Sequence, residues 1–160
     1  MAFQVGDRIA HPLHGAGVID RIESRRINRE TRDYYVLRLP GNGMTVMVPV
    51  DGCEGVGVRS IASPDEIERL FSKIGDLDTS MLDNWNKRYR ENMQRIKSGD
   101  MLEVAAVVKG LVRRDAERGL STGERRMLNS ARQILLSEIV LSTDCTYEAA
   151  ESRLRECLED

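Results

Sequence analysis

The chain has 160 residues and a formal net charge of −2; 41% of the residues are hydrophobic and 31% are charged. These values are typical of a soluble globular protein with one or two small domains. They exclude a membrane-spanning helix, because no apolar run approaches the ~18–20 residues required. The N-terminus lacks the basic and apolar regions of a secretory signal. The three cysteines are too few and too widely spaced for a disulfide framework or a zinc site, so we expect a cytoplasmic protein.

Charge is distributed unevenly along the chain. Residues 85–132 carry 12 basic and 6 acidic side chains, whereas residues 133–160 carry 2 and 7. Because the electrostatic field depends on local charge, residues 85–132 form a candidate nucleic-acid surface despite a pI near 5.8. The alternative is that these charges only solvate helix faces.

The first sixty residues are typical of short β-strands. β-branched and aromatic residues concentrate in four segments, which are separated by turn residues. Four or five short strands must curl to bury one face, so residues 1–60 are predicted to form a small, half-open SH3- or Tudor-like barrel. The four segments are residues 8–10, 17–22, 34–39 and 44–48.

Residues 61–160 are predicted to form a compact all-α domain, which gives the chain an α+β fold. Ser63 with Glu66, and Ser121 with Glu124, have the spacing of a capping box at a helix start. Apolar residues recur at intervals of three and four between these starts and later glycines. The helices are expected over about 64–73, 84–98, 100–118, 122–141 and 146–158.

Trp85, the only tryptophan, begins one of these helices among Lys and Arg residues, in the segment NWNKRYR at 84–90. Such a ring is suited to wedge into a widened DNA minor groove while the cations contact phosphates. On a helical wheel, however, Trp85 shares a stripe with Tyr89, Met93 and Ile96. Burial of the ring in the core therefore stays open as an alternative.

Residues 44–49 (MTVMVP) end in a proline, which suits an edge strand because proline cannot donate to a ladder. An exposed edge accepts a partner strand. Arg25 and Arg26 would give such an interface a charged rim. The alternative is that Val46 and Met47 only fill the barrel.

The sequence predicts no catalytic, metal or cofactor site. His11 and His14 share one turn without carboxylate or cysteine partners, and Cys53 has no evident base. A Tudor-type reader of modified peptides would need an aromatic cage. Tyr34 and Tyr35 are adjacent on a strand and point to opposite faces, so they cannot both contribute to one.

The chain resembles the CarD/CdnL family of bacterial transcription regulators. The blocks NWNKRYR and GERRML are the most specific parts of this resemblance, and all matching blocks follow the family order over nearly the whole chain. The blocks are residues 3–7, 14–17, 34–37, 46–49, 56–59, 84–90, 98–100, 118–121 and 123–128.

The resemblance implies that residues 1–60 dock by strand pairing on the β subunit of bacterial RNA polymerase. It implies that residues 61–160 bind promoter DNA at the upstream edge of the melted region and stabilise the open complex without reading an operator. The implied polymerase contacts are Arg25, Val36, Thr45, Val46, Met47, Val48 and Pro49. The implied DNA contacts are Trp85, as a minor-groove wedge, and Lys87, Arg88, Arg90 and Arg125, as phosphate contacts.

Some family members carry arginine at the position of Met47, so we expect a more apolar and less salt-sensitive polymerase contact here. We expect a monomer. The alternative function is a protein-only adaptor that binds a partner strand without touching DNA.

Overall fold

The computed structural model describes residues 2–41 and 43–159, and in this part of the chain an antiparallel sheet precedes five helices. This arrangement confirms the predicted α+β fold. Met1 and Asp160, the outer ends of the two predicted domains, lie outside the described residues, as does Asn42. The strands are β1 (Arg8–His11), β2 (Gly15–Ile27), β3 (Glu30–Arg38), β4 (Thr45–Pro49) and β5 (Arg59–Ser60). The helices are α1 (Pro64–Ile74), α2 (Trp85–Lys97), α3 (Met101–Arg118), α4 (Thr122–Thr143) and α5 (Tyr147–Glu159).

The sheet has the strand order β4-β3-β2-β1-β5 and curls around its own apolar core. Within the described residues, β4 and β5 do not pair with each other, so the barrel stays half-open. Most core side chains lie on alternate positions of the strands, as the period of two requires, and Cys53 and Val58 join them from the connection between β4 and β5. The core side chains are Ile9, Ile19, Tyr35, Leu37, Val48, Cys53 and Val58.

The β2–β3 hairpin is longer than the sequence predicted. Its two turn residues, Asn28 and Arg29, both have positive φ (50° and 67°), which is the geometry of a tight two-residue hairpin turn. Near this turn both strands consist mostly of exposed polar residues. They pair through backbone hydrogen bonds, without an apolar face to bury. β4 pairs only with the segment from Tyr34 to Arg38, so the outer half of the hairpin has no third strand.

Local capping accounts for the helix starts. Ser63 and Glu66 form the predicted capping box at α1, and Asn84 accepts a hydrogen bond from the Lys87 amide at α2. Ser121 likewise caps α4 by accepting from the Glu124 amide. The second capping box is only half formed, however, because the Glu124 carboxylate turns away to bind Arg88.

Helix α4 joins the sheet to the helical core. The Ala16 amide on β2 donates to Ser137 Oγ at 2.9 Å. Glu138 accepts from the Arg59 guanidinium at 2.7 and 3.0 Å and from the Ala62 amide at 2.7 Å. The buried Glu138 carboxylate therefore fixes how the two halves of the chain are oriented, which the sequence did not predict.

Candidate nucleic-acid interface and free strand edge

Trp85 is the first residue of α2, and its ring is 43% exposed. The ring stacks on Tyr89 at a centroid distance of 5.2 Å and an interplanar angle of 20°. Its Nε1 donates to Ser121 Oγ at 3.0 Å. Ile96, about three turns further along the same stripe, is buried, so the stripe enters the core only after Trp85. The core interpretation of Trp85 is therefore excluded, and the ring is ordered but accessible.

Two of the predicted phosphate contacts lie in the first two turns of α2 with their side chains in solvent. Lys87 and Arg90 are exposed, and no ion pair within residues 2–41 and 43–159 engages either of them. Arg90 lines an open groove along α2 together with Trp85, Tyr89 and Met93. One face of α2 thus presents an aromatic surface bordered by the cation of Arg90, while Lys87 projects from a different side of the same turn.

Arg88 departs from the prediction. Its guanidinium is 3% exposed and binds the equally buried Glu124 through Nε–Oε2 (2.8 Å) and Nη2–Oε1 (3.2 Å). The hydrogen bond from Arg88 lowers the pKa of Glu124, and the reciprocal bond raises the pKa of Arg88. Removing one partner of such a buried pair costs about 3–5 kcal/mol. The prediction that Arg88 holds a phosphate is therefore corrected, because its charge is already neutralised inside the fold.

Arg125 lies in the first turn of α4 and pairs with Asp115 at 3.0 Å. About half of its side chain is exposed, and a surface pair of this kind contributes only about 0–1 kcal/mol. Breaking this pair therefore costs little free energy. Arg126, which follows it, is exposed and has no ion pair among the described residues.

Sequence reasoning did not single out the residues on α4 that hold the ring. Ser121 supplies the indole acceptor, and Gly123 lies under the ring edge, where an added Cβ would meet Trp85 Cζ2 at 3.5 Å. Ser121 lies 36 residues from Trp85, so no local pattern reveals the pair. The only sequence signal is a glycine in the first turn of a helix, which is unusual for helix propensity.

Strand β4 is the free edge of the sheet, as its terminal proline predicted. The Leu39 amide donates to Met44 O, and the Val50 amide donates to Asp33 O. Because hydrogen-bonding direction alternates along an antiparallel strand, the even-numbered residues of β4 face β3. The odd-numbered ones, Thr45, Met47 and Pro49, therefore direct their backbone groups outward.

This edge offers two N–H donors, from Thr45 and Met47, since Pro49 has none. The side chains of β4 also alternate, between the outer face of the sheet and the barrel core. Met47 is half-buried on the outer face, while Val48 is fully buried in the barrel core and Val46 packs against it. The edge is thus suited to main-chain pairing over a short length.

Val36 and Arg25 lie further from this edge than predicted. Val36 is on β3, opposite Met47, and only 2% of it is exposed. The predicted direct contact between Val36 and a partner is therefore wrong, because Val36 is buried. Val36 instead lies beside Met47 on the neighbouring strand. Arg25 is exposed on β2, two strands away, and pairs with Glu23 at 3.2 Å.

An apolar groove adjoins the end of β4. Val48 and Pro49 line it on one side, and Pro12, Leu13 and Val56 line it on the other. Leu13 and Val56 are about half exposed, which is unusual for large apolar side chains this close together. The free edge therefore continues into an apolar surface.

The described residues contain no group of three His, Cys, Asp or Glu side chains placed to hold a metal ion. The rings of His11 and His14 lie against each other with centroids 4.4 Å apart and an interplanar angle of 39°. Burial, followed by the proximity of His14, lowers the pKa of His11. No helix in the described part of the chain is both long and apolar enough to cross a membrane.

Comparison with known proteins agrees with this geometry. A family model described as the CarD-like/TRCF RID domain matches residues 3–62, and one described as the CarD C-terminal domain matches residues 69–155. The chain belongs to the CarD family. The chain is also similar to the "Putative transcription factor YdeB" of Bacillus subtilis (strain 168), with 33% identity over 150 residues. The alignment covers 94% of the present chain and 98% of the relative.

CarD-family membership confirms the resemblance drawn from the sequence blocks. It makes the protein a transcription regulator of the type that associates with RNA polymerase. The family is one of transcription factors, which are generally not enzymes. The curled sheet and the helical bundle correspond to its two family models.

Proposed function

We propose that the protein bridges RNA polymerase and promoter DNA and thereby stabilises the open promoter complex. In this proposal β4 pairs with a strand of the polymerase β subunit, and Trp85 enters the minor groove at the upstream edge of the melted region. The observation that carries the proposal is the exposed indole, which stacks on Tyr89 and shares an open groove with the exposed Arg90.

The energetics favour DNA that is already distorted. A tryptophan offers ~150–250 Å², of which 43% is exposed here, so burying that exposed part contributes about 2 kcal/mol. Separating one base step costs a few kcal/mol. Insertion into intact duplex is therefore close to neutral, whereas insertion beside a melted region avoids most of the cost.

Three cations supply the sequence-independent part of the contact: Lys87, Arg90 and Arg125. Three phosphate contacts give a slope of about −3 for log affinity against log salt concentration. So small an interface binds weakly by itself. Docking on polymerase raises the effective concentration of the helical domain at the promoter.

The polymerase contact is proposed to use the outward backbone groups of Thr45, Met47 and Pro49. Main-chain pairing supplies affinity, and the side chain of Met47 gives the interface an apolar centre. Arg25 is two strands away and contributes a charged border. The apolar groove beyond Pro49 is proposed to bind the polymerase residues that follow the paired strand.

Promoter-opening kinetics with purified polymerase test this proposal, comparing Trp85→Ala with Leu82→Ala. Leu82 is a matched control because it is exposed to a similar extent (47%) just before α2. We expect Trp85→Ala to shorten the open-complex lifetime while polymerase binding and helical circular dichroism stay unchanged. Leu82→Ala should behave as the wild type.

An unchanged lifetime for Trp85→Ala would remove the DNA half of the proposal. A salt titration of DNA binding then separates the remaining possibilities. A protein-only adaptor shows no salt-dependent DNA association, whereas a DNA-binding protein shows the slope given above.

A further inference from the structure

A chain of four hydrogen-bonded side chains connects the interior of the helical bundle to the exposed indole. Arg88 binds Glu124 in a two-bond pair, and both side chains are buried. Ser121 Oγ donates to Glu124 Oε1 at 3.3 Å and accepts from Trp85 Nε1 at 3.0 Å. The chain thus links α2 to the first turn of α4 and returns to the first residue of α2.

Arg88 also holds the segment that leads into α2. Its Nη1 donates to the carbonyl oxygens of Leu82 at 3.1 Å and Asp83 at 2.9 Å. Four hydrogen bonds from one guanidinium therefore fix the start of α2 both to α4 and to the preceding loop. Trp85 lies at that start, so its backbone has little freedom.

Two contacts restrict the ring itself. Tyr89 stacks on one face of the indole. At its edge, the first turn of α4 lies directly against the indole, since a Cβ added at Gly123 would be in ordinary van der Waals contact with Trp85 Cζ2 at 3.5 Å. The hydroxyl of Ser121 then selects the ring orientation that points Nε1 at α4.

A buried ion pair is an inefficient way to stabilise a fold, because apolar side chains of similar volume often perform as well. Its best-attested role is to select one arrangement among several. Here the arrangement that it selects is the contact between the first turns of α2 and α4. That contact carries the exposed ring.

We infer that Arg88 and Glu124 are positioning residues that hold the Trp85 ring outward in one orientation, ready for insertion. This inference rests on the proposed function. An exposed side chain without such restraints occupies several rotamers and loses that freedom on binding. A ring that is already fixed loses less, so the pair strengthens the DNA contact without touching DNA.

The test uses the paired replacement Arg88→Met with Glu124→Leu, which removes both charges together. Trp85 is the only tryptophan, so the intrinsic fluorescence of the full chain reports this ring alone. We expect unchanged helical circular dichroism and a lower fluorescence anisotropy. The acrylamide quenching constant should rise by about twofold, as a ring that is 43% exposed becomes fully accessible.

The matched control is Arg153→Met with Glu68→Leu. This pair is also held by two hydrogen bonds, but it is exposed and joins α1 to α5, away from Trp85. It should leave the fluorescence unchanged. Arg88→Lys keeps the charge but loses the two-bond geometry, so it should give an intermediate anisotropy.

If the paired replacement fails to fold, Ser121→Gly carries the test. Glycine is tolerated as a helix N-cap, so this change removes the indole acceptor and leaves the buried pair in place. The inference is overturned if either variant folds and its anisotropy and quenching constant equal those of the wild type.

Open-complex lifetime separates this inference from the proposed function. We expect the paired replacement to shorten the lifetime towards that of Trp85→Ala. Suppose that Trp85→Ala shortens the lifetime, but the paired replacement frees the ring and keeps the wild-type lifetime. The positioning role of Arg88 and Glu124 is then overturned. If Trp85→Ala has none, the proposed function fails, and fluorescence still decides whether the pair holds the ring.

Discussion

Replacing Met47 with proline removes one of only two N–H donors on the free edge of β4. The alternation established by Met44 and Val50 places this donor on the side away from β3. The sheet therefore loses no hydrogen bond, and proline is compatible with an edge strand, as Pro49 already shows. The change tests partner pairing with little effect on folding.

The expected loss of polymerase affinity follows from the polymerase carbonyl that is left without a hydrogen-bond donor. A polymerase carbonyl that pairs with Met47 N–H would be buried and unsatisfied, which costs about 1–3 kcal/mol. Affinity for polymerase should then fall by about 5- to 150-fold, since 1.4 kcal/mol is a factor of ten. The free energy of unfolding should change by less than about 1 kcal/mol, because only the half-buried Met side chain is lost.

Calorimetric titration of purified RNA polymerase with each variant measures the affinity. Met47→Ala is the control for the side chain, because it keeps the N–H, and it should weaken binding less than proline does. Val46→Pro is the opposite control; it removes a bond to β3 and should destabilise the barrel. Wild-type affinity in Met47→Pro would refute the strand-pairing argument.

Three further predictions concern folding. Lys109 is fully buried, and its ammonium donates to two carbonyls at the end of α1, at 2.7 and 2.8 Å; Lys109→Met should lower the free energy of unfolding in urea by about 1–3 kcal/mol. Arg88 holds the pKa of Glu124 below its ordinary value of 4.5, so this carboxylate stabilises the fold fully above about pH 4.5 and progressively less as the pH falls through its folded-state pKa. Stability should therefore decline below pH 4.5, and Glu124→Gln should make that decline shallower in thermal melts. Gly15→Ala should lower the melting temperature, because Gly15 has φ +90° and the new Cβ would lie 2.6 Å from Ser137 Oγ.

The Lys109 and Gly15 predictions each have a control in the same chain. Lys97 is exposed, so Lys97→Met should leave the unfolding free energy nearly unchanged. Gly6 has φ +92° but nothing within 4 Å of an added Cβ, so Gly6→Ala measures the backbone strain alone. A melting temperature for Gly15→Ala equal to that of Gly6→Ala would contradict the proposed contact with Ser137. A pH profile that Glu124→Gln leaves unaltered would contradict the argument for the buried pair.

Local sequence was enough to predict the helices and the free strand edge. The capping residues Ser63 and Asn84, and the terminator Gly119, act through hydrogen bonds and backbone angles within a few residues. Pro49 likewise marks an edge through its own missing donor. Such features are legible in a single chain because their causes lie within one turn of helix or one step of strand.

Contacts between distant segments could not be predicted in this way. β5 has two residues and exists only because it pairs with β1. Arg88 carries the same charge and lies in the same block as Lys87 and Arg90, yet only Arg88 finds a carboxylate, 36 residues away, and is buried. The helical period placed Trp85 and Ile96 on one stripe and could not show where that stripe leaves the core.

The sequence alone determined the helices, the approximate places of four strands and that one ring lies among cations. Tertiary structure decided which of those cations stay free, how far the ring emerges, and how Glu138 orients the sheet against the helices. The physical reason is range: secondary structure depends on bonds between near neighbours in the chain. Burial and ion pairing depend instead on which remote surfaces the packed core brings together.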